Sequence, residues 1–380
     1  MTAPLKILYL VHDLSDAAVR RRVMMLRDGG AAVTLAGFRR AAEPVASIEG
    51  CPTINLGQTH NGAFLQRILS ILRIVASLGK YRVLFAATDV VIARNLEMLA
   101  IGVRGRSLCS PPPVLVYESL DIHRLLLNQG PAGKILRGLE GWLSRRASLL
   151  LTSSPAFIRE YFTPLSHVRL PTHLVENKVY APDMADVVPP PARAPGPPWR
   201  IGWFGAIRCR KSLGILAEFA RANEGRIEVI IRGKPALDEI PHFHAVVSAT
   251  PHLTFAGPYR NPDDLAAIYG DVHFTWAIDM FEEGLNSSWL LPNRLYEGGL
   301  FGAVPLARAS VETGRFLKCV GIGVLLNDPL PDALKDFFKT LTTKDYQNLA
   351  KSAMETPVSY WLSRKDDCVT LVRQLSASKD

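Results

Sequence analysis

An arginine and a glutamate stand three residues apart in the stretch PNRLYEGGLFGAVP, which begins at residue 292. Pro292 suits the first turn of a helix, and Arg294 and Glu297 then share one face of that helix. Arg294 would lie near the positive end of the helix, where a phosphate docks. Glu297, one turn deeper, could accept hydrogen bonds from two ribose hydroxyls. The pair therefore predicts nucleotide binding, with a plain salt bridge along the helix as the alternative.

A second cluster of basic residues, GAIRCRKSLGIL, follows the strand predicted at WRIGWFG. Gly205 would let the backbone approach a ligand closely. Arg208, Arg210 and Lys211 precede a helix for which Ser212 is the predicted cap. The cluster predicts a cradle for a diphosphate at a helix N-terminus. The alternative is a solvated basic turn.

Several common motifs are missing from the chain. It has no GxxxxGK[ST] phosphate loop, no GxGxxG after the first predicted strand and no DxD triplet, which disfavours ATP hydrolysis, dinucleotide binding and a carboxylate-held divalent ion. Five widely spaced cysteines without a CxxC pair disfavour zinc and disulfides and favour a reducing compartment, the cytosol. We therefore predict diphosphate chemistry with no metal and no cofactor, in which protein cations and helix N-termini stabilise the leaving charge.

Two series of alternating strands and helices are predicted to position these residues. In each half, short apolar segments, one of them RVLFAAT, alternate with helical segments and predict a parallel sheet covered on both faces. Two doubly wound domains joined by a linker would leave a cleft at the C-terminal ends of both sheets. The predicted divisions are an N-terminal domain at 1–186, a proline-rich linker at 187–198, a nucleotide-binding domain at 199–355 and a helix over 356–380 that packs back on the first domain.

Polar residues also follow predicted strands of the N-terminal domain. His12 and Asp13 come directly after the first strand, and Glu118 and Asp121 lie at the end of the strand VLVYES. We expect Glu118 and Asp121 at the lip of the cleft. His12 and Asp13 could position a substrate there, or they could cap the helix that follows.

The formal net charge of +9 suits nucleic acid, an anionic membrane or a phosphorylated ligand. No zinc-finger spacing, RNA-binding aromatic signature or long basic run is present, so nucleic acid is disfavoured. No apolar run reaches about 18 residues, so a spanning helix is not expected. The basic segments FLQRILSILRIVASL and KILRGLEGWLSRRA, each with an apolar face, predict either membrane-surface helices or ordinary core-facing ones.

GAIRCRK and PNRLYEGGLFGAVP together resemble the second half of the GT-B glycosyltransferases, particularly the family 4-like enzymes. The resemblance is good over 199–330 and looser over 1–180. It implies an α/β fold of two Rossmann-like doubly wound domains facing a cleft, with a UDP-sugar donor. Retaining members usually carry another glutamate eight positions before the ribose-binding one, where this chain has Trp289, so inversion is favoured. The implied donor-binding residues are Gly205, Arg208, Lys211, Asn293, Arg294 and Glu297.

YLVHDLSDAAVRRRV and VLVYESLDIHRLL also resemble the glucuronosyltransferase of xanthan assembly. That resemblance makes Asp121 the candidate general base, a role worth about 10²–10⁴-fold in rate, with His12, Asp13 and Glu118 positioning acceptor or sugar. The alternative for Asp121 is a cap on the helix IHRLLL.

The expected function is transfer of glucuronate or glucose from a UDP-sugar to a lipid-diphosphate-linked saccharide in bacterial exopolysaccharide assembly. The enzyme would act in the cytoplasm, peripherally on the inner leaflet of the cytoplasmic membrane. A sugar-nucleotide epimerase or a phosphorylase of the same architecture, and a non-catalytic GT-B scaffold of a polysaccharide complex, are the alternatives.

Overall fold

The computed structural model describes residues 3–39, 43, 45–58, 64–187, 190, 193–223 and 225–378, with only the backbone described at 17, 64–69 and 186. The chain forms two compact units. The first unit comprises Met1–Glu176 and Arg364–Asp380, and the second comprises Asn177–Ser363. Both are built around parallel sheets, so the predicted α/β class is confirmed.

The first unit is built on an eight-stranded sheet with the order β3-β4-β2-β1-β5-β6-β7-β8. Its strand pairs are parallel except for β3 and β4, which are antiparallel. Residues 7–11 of the central strand are at most 2% exposed, as expected for a strand covered on both faces. The strands are β1 (Lys6–Val11), β2 (Ala32–Arg39), β3 (Ser47–Ile48), β4 (Cys51–Gln58), β5 (Val90–Arg94), β6 (Val114–Ser119), β7 (Leu149–Thr152) and β8 (Thr172–Leu174).

Helices connect these strands. Asp16 caps the first of them by accepting a hydrogen bond from the Ala18 amide, and Gly30, with φ of 93°, follows its end. The helices are α1 (Ala17–Asp28), α2 (Phe64–Ser77), α3 (Arg82–Ala86), α4 (Asn95–Arg106), α5 (Arg124–Leu127) and α6 (Pro131–Ser144).

The strand predicted at RVLFAAT is wrong, because helix α3 occupies that segment and the strand is β5. Val83 in the helix is 81% exposed, whereas residues 90–93 are all fully buried between β1 and β6. The continuous apolar run of β5 therefore lies in the centre of the sheet, and α3 before it packs mainly through Phe85.

The second unit has a six-stranded parallel sheet with the order β12-β11-β10-β13-β14-β15 and a small parallel pair, β9 with β16. Counted from β10, the order is 3-2-1-4-5-6, that of a Rossmann fold, and it reverses between β10 and β13. The strands are β9 (Val179–Tyr180), β10 (Trp199–Ile207), β11 (Ile227–Pro235), β12 (Leu253–Phe255), β13 (Phe274–Trp276), β14 (Val304–Arg308), β15 (Val324–Leu326) and β16 (Leu362–Ser363).

Helices cover this second sheet and bury an aromatic core that includes Trp199, Trp203 and Trp276. They are α7 (Arg210–Ala222), α8 (Phe243–Ser248), α9 (Leu265–Gly270), α10 (Asn286–Trp289), α11 (Asn293–Leu300), α12 (Glu312–Val320), α13 (Leu330–Thr340) and α14 (Thr343–Glu355).

The unit boundary falls at 176/177, ahead of the predicted linker, whose residues 188, 189, 191 and 192 lie outside the described ones. Strand β9 pairs with β16, which ties residues 179–180 to the second unit. Arg193 donates to the carbonyl oxygens of Tyr269 and Gly270, at the end of α9. It also donates to those of Phe301 and Gly302, just past the end of α11. These bonds hold a proline-rich segment that carries few amide donors of its own.

The chain returns to the first unit at its end, through α15 (Lys365–Ala377). A Cβ atom built on Gly29 would lie 2.4 Å from the carbonyl oxygen of Cys368, so α15 packs directly on the end of α1. No described helix is both long and apolar enough to cross a membrane.

Candidate active site

In the second unit the strand order reverses between β10 and β13, and ligands of such sheets bind beyond the strand ends at that point. Gly205 lies near the end of β10 with φ of 110°, a conformation that favours glycine. A Cβ on Gly233, its partner on β11, would lie 1.9 Å from the Gly205 carbonyl oxygen. Both positions therefore require glycine, and they leave the backbone bare beside the reversal point.

Arg294 and Glu297 are both buried on α11, and Arg294 pairs with Asp279. The Arg294 Nη2 atom donates to the Ile278 carbonyl at 2.8 Å and lies 3.4 Å from Asp279 Oδ2. Within the described part of the chain its buried Nε has no hydrogen-bond partner. The helix thus turns a partly unsatisfied guanidinium toward the end of β13, where the carboxylate that pairs with it is Asp279.

Glu297 is held by two neutral donors from α9 and the loop before it. Asn261 Nδ2 donates to Oε1 at 2.9 Å, and the Tyr269 hydroxyl donates to Oε2 at 2.8 Å. Burial and the nearby carboxylate raise the pKa of Tyr269 well above its ordinary value, so this phenol remains a donor. These two groups are neutral, so they hold the carboxylate in place without cancelling its charge.

Asp279, just beyond β13, brings two arginines together. Burial favours its neutral form, but the Arg294 guanidinium, the Ser287 hydroxyl, the Phe281 amide and then Arg208 outweigh burial and lower the pKa of Asp279. The Arg208 guanidinium also lies over the Phe281 ring, 4.7 Å from its centre. Arg208 and Arg294 thus flank one ionised carboxylate at the reversal point.

Lys211 and Asn293 lie at the edge of this cluster. Lys211 is exposed and pairs with Glu283, which also accepts from Arg308 Nη1 at 2.8 Å. Asn293 is the exposed first residue of α11.

Ser212 is not the cap predicted for α7, because the helix begins at Arg210 and Cys209 is its cap residue. The Ser212 hydroxyl instead accepts from the indole of Trp276 at 3.1 Å inside the core.

In the first unit, polar residues gather where β1 and β5 end. The half-buried His12 lies 3.2 Å from Asn95 Nδ2 through its Nδ1 atom. Asn95 begins α4 with φ of 71°, a strained conformation for a residue other than glycine. Asp13 is buried and accepts from the amide and hydroxyl of Ser15. The helix cap is Asp16.

Glu118 does not lie at a substrate-facing edge as predicted, because its side chain is fully buried. It accepts hydrogen bonds from the Tyr9 hydroxyl and, at 2.7 Å, from Arg22 Nε. A position near a strand end does not by itself expose a side chain, and this carboxylate pairs with Arg22 inside the protein.

Asp121 is exposed in the loop between β6 and α5. The side chain that accepts from the first turn of α5 is that of His123, through the Leu125 amide. Both the general-base role and the capping alternative for Asp121 stay predictions. No group of three metal-ligating side chains is found among the described residues.

No protein-family model matches the chain. The succinoglycan biosynthesis protein ExoL of Rhizobium meliloti (strain 1021) is 49% identical over 376 residues, covering 98% of this chain and 93% of that protein. The chain belongs to the family of ExoL. The predicted kinship with proteins of exopolysaccharide assembly is thereby confirmed.

Solved structures with low identity show the fold of this ExoL relative. Sucrose-phosphate synthase from Thermosynechococcus elongatus matches with a TM-score of 0.71 and 14% identity, over 98% of this chain and all 100% of that one. HepE of Anabaena, in complex with UDP and glucose, matches with a TM-score of 0.68 and 16% identity, over 98% of this chain and 99% of that one. The predicted GT-B class is confirmed.

Three residues that were not predicted from the sequence complete the second-unit cluster: Asn261, Tyr269 and Asp279. All three follow or flank predicted elements of the Rossmann pattern. The polar residues that follow its strands were the signal that could have found Asn261 and Asp279, whereas Tyr269 in a helix of mostly apolar residues gave none.

Proposed function

We propose that this protein is a glycosyltransferase that moves a sugar, glucuronate or glucose foremost, from a UDP-sugar to a lipid-diphosphate-linked saccharide during bacterial exopolysaccharide assembly. The observation that carries this proposal is the cluster at the β10–β13 reversal point, where Arg208 and Arg294 converge and Glu297 is held by neutral donors. Kinship with ExoL favours the pathway, and the HepE complex with UDP and glucose favours the donor class.

Each donor-binding residue then has a distinct role. Arg294, Arg208 and Lys211 hold the diphosphate, with Lys211 exchanging Glu283 for a phosphate oxygen. Glu297 accepts hydrogen bonds from the ribose hydroxyls, and Gly205 lets the diphosphate approach the backbone. Asn293 adds an amide at the start of α11. These cations stabilise the leaving UDP without a divalent ion.

Asp121 acts as the general base that takes the proton of the acceptor hydroxyl as it attacks the anomeric carbon. Its exposed position beyond β6 leaves it accessible to an acceptor. His12 and Asp13 lie beyond the neighbouring part of the same sheet and position the sugar. With Trp289 in the place of the second glutamate of retaining enzymes, transfer proceeds with inversion.

Helix α6 supplies the surface for a membrane-bound acceptor. Its residues Ile135, Leu139 and Trp142 are 70%, 43% and 57% exposed, and their spacing places them on one face. Lys134, Arg145 and Arg146 are exposed on or beside the helix, whereas the similarly predicted Arg137 is buried and bonds to the Leu126 and Asn128 carbonyls. Exposed apolar residues flanked by cations suit an anionic bilayer surface.

The first test is a nucleotide screen by thermal unfolding. UDP and its sugar conjugates should raise the melting temperature of the full chain, because a ligand stabilises by RT ln(1 + [L]/Kd), and they should do so in the presence of EDTA. ADP and GDP serve as matched controls. Equal stabilisation by all three diphosphates, or by none, would contradict the proposed donor.

The second test measures turnover on a lipid-linked saccharide extract. Asp121→Asn should lower kcat about 10²–10⁴-fold while the affinity for UDP stays the same. Release of UDP should depend on the added acceptor, and NMR of the product should show an inverted anomeric centre. Full activity of the variant would remove Asp121 from the mechanism.

The third test uses vesicles containing anionic lipid at low salt. Trp142→Ser should weaken sedimentation of the protein with these vesicles several-fold, and high salt should weaken it further. Leu237→Ser, at a residue of the second unit that is 48% exposed, is the matched control. Equal effects of the two substitutions would argue against docking through α6.

A further inference from the structure

Tyr259 lies in the second unit beside the donor-binding cluster, yet none of the roles above uses it. Its ring is half-buried and packs against the core that contains Phe204 and Tyr269. Its hydroxyl lies 4.0 Å from the point where a Cβ atom on Gly205 would stand. The phenol therefore reaches the bare stretch of backbone at the end of β10.

The loop that carries Tyr259 is fixed on both sides of it. Before it, the Gly257 carbonyl accepts from the Gly233 amide at 3.0 Å. After it, Asn261 donates to Glu297, and the Arg260 amide donates to Asp264 at 2.7 Å. A hydroxyl held on such a loop is positioned before any ligand arrives, which lowers the entropic cost of a contact.

None of the hydrogen bonds found among the described residues involves the Tyr259 hydroxyl. Burial and the Glu297 carboxylate raise the pKa of Tyr259, while Arg294 opposes that shift only in part. The phenol therefore keeps its proton at neutral pH and can donate it. The hydroxyl is thus a neutral donor near Gly205 and Arg294. An anionic oxygen is a more suitable partner for it than a second hydrogen-bond donor would be.

We propose that the Tyr259 hydroxyl donates a hydrogen bond to the diphosphate of the nucleotide-sugar donor. This inference rests on the proposed function and deepens it, because it adds a neutral phosphate-binding group to the charged ones. Tyr259 acts by direct contact with the ligand, whereas Tyr269 acts through Glu297.

The experiment compares Tyr259→Phe with the unaltered full chain. Titration calorimetry gives the affinity for UDP, and displacement of bound UDP gives the affinity for uridine. Loss of a hydrogen bond to a charged group should weaken UDP binding about tenfold. Uridine affinity and the melting temperature without ligand should stay the same, because the hydroxyl has no partner inside the described structure.

Tyr360→Phe is the matched control, since Tyr360 belongs to the same unit and its ring packs against Phe316. It should bind UDP like the unaltered chain. Unchanged UDP affinity in Tyr259→Phe, an equal loss for uridine, or a lowered melting temperature would each overturn the inference. Absence of UDP binding by the unaltered chain would overturn the proposed function and this inference with it.

Discussion

Each unit of the chain buries a glutamate that accepts a hydrogen bond from a tyrosine hydroxyl, but the two carboxylates have different second partners. In the first unit Glu118 also accepts from Arg22, whose side chain is 5% exposed. In the second unit Glu297 also accepts from the amide of Asn261. A buried cation neutralises the carboxylate that it pairs with, whereas hydrogen bonds from a phenol and an amide leave a carboxylate its negative charge.

Near Glu118, Arg94 lies 3.4 Å from the Tyr9 hydroxyl and pairs with Asp16 at 2.9 Å, so that opposite charges adjoin one another. The buried Nε of Arg94 has no hydrogen-bond partner among the described residues. Near Glu297, the buried Nε of Arg294 likewise lacks a hydrogen-bond partner among the described residues. A buried donor without a partner normally costs stability, and a ligand bound at the β10–β13 reversal point would offset that cost for Arg294.

The largest expected effect comes from breaking the pair of the first unit. Glu118→Leu leaves Arg22 buried without its carboxylate, and this should lower the free energy of unfolding by about 3–5 kcal/mol. Denaturant unfolding of the full chain measures the loss. The affinity for UDP, measured where the variant is folded, should stay the same.

The double variant Arg22→Leu with Glu118→Leu is the control for that prediction. It removes both charges and should recover much of the lost stability, since an apolar pair can replace a buried ion pair at little cost. A double variant as unstable as the single one would show that packing, and not charge, dominates this position.

The next effect concerns binding. Glu297→Gln keeps the shape of the side chain and an oxygen that accepts one hydrogen bond, so stability should fall by only about 1 kcal/mol. The affinity for UDP should fall about tenfold or more, because the ribose loses an ionised acceptor. Titration calorimetry with UDP measures the change.

Glu312→Gln offers a matched comparison for Glu297→Gln. Glu312 is another buried glutamate of the second unit, in the first turn of α12. We expect its substitution to leave UDP binding unchanged. Equal losses of affinity in the two variants would erase the distinction between a ligand-binding carboxylate and a structural one.

The sequence correctly predicted that Glu297 lies on a helix with Arg294, and it misplaced Glu118. Helical spacing is a local property, so the relation of Arg294 to Glu297 could be deduced from adjacent residues. The partners of Glu118 could not, because Tyr9 lies 109 positions away and Arg22 lies 96 away. Which face of a strand end is buried depends on such distant contacts.

The strand wrongly predicted at RVLFAAT, where α3 precedes β5, has the same cause. Both segments are short and apolar, and periodicity alone does not separate a buried strand from a short helix. The choice was settled by pairing of β5 with β1 and β6, a contact that local patterns do not encode. By contrast, the Rossmann order of the second unit follows from elements whose alternation was visible, so the region of the site was predictable.

The smallest expected effect is a dependence of stability on pH. Asp16 in the first unit and Asp279 in the second should both contribute to it. Burial favours the neutral form of each, but nearby charges and hydrogen bonds, led by Arg94 for Asp16 and by Arg294 for Asp279, together outweigh burial and lower both pKa values. A lowered pKa in the folded state contributes stability above the unfolded value, about 3.9, and that contribution is lost as pH falls through the folded value. Stability should therefore decline below about pH 4.

Asp16→Asn and Asp279→Asn should each remove part of that decline, because the amide does not titrate. At pH 7 each variant should lose about 1 kcal/mol, and at pH 3 each should match the unaltered chain more closely. Melting temperatures across this range measure the difference, with the exposed Asp332→Asn as a control that should change neither. Saturating UDP should reduce the loss of stability at pH 7 for Asp279→Asn and not for Asp16→Asn. The phosphates would then replace the charge of the Asp279 carboxylate beside Arg294, which only the second unit can offer to a ligand.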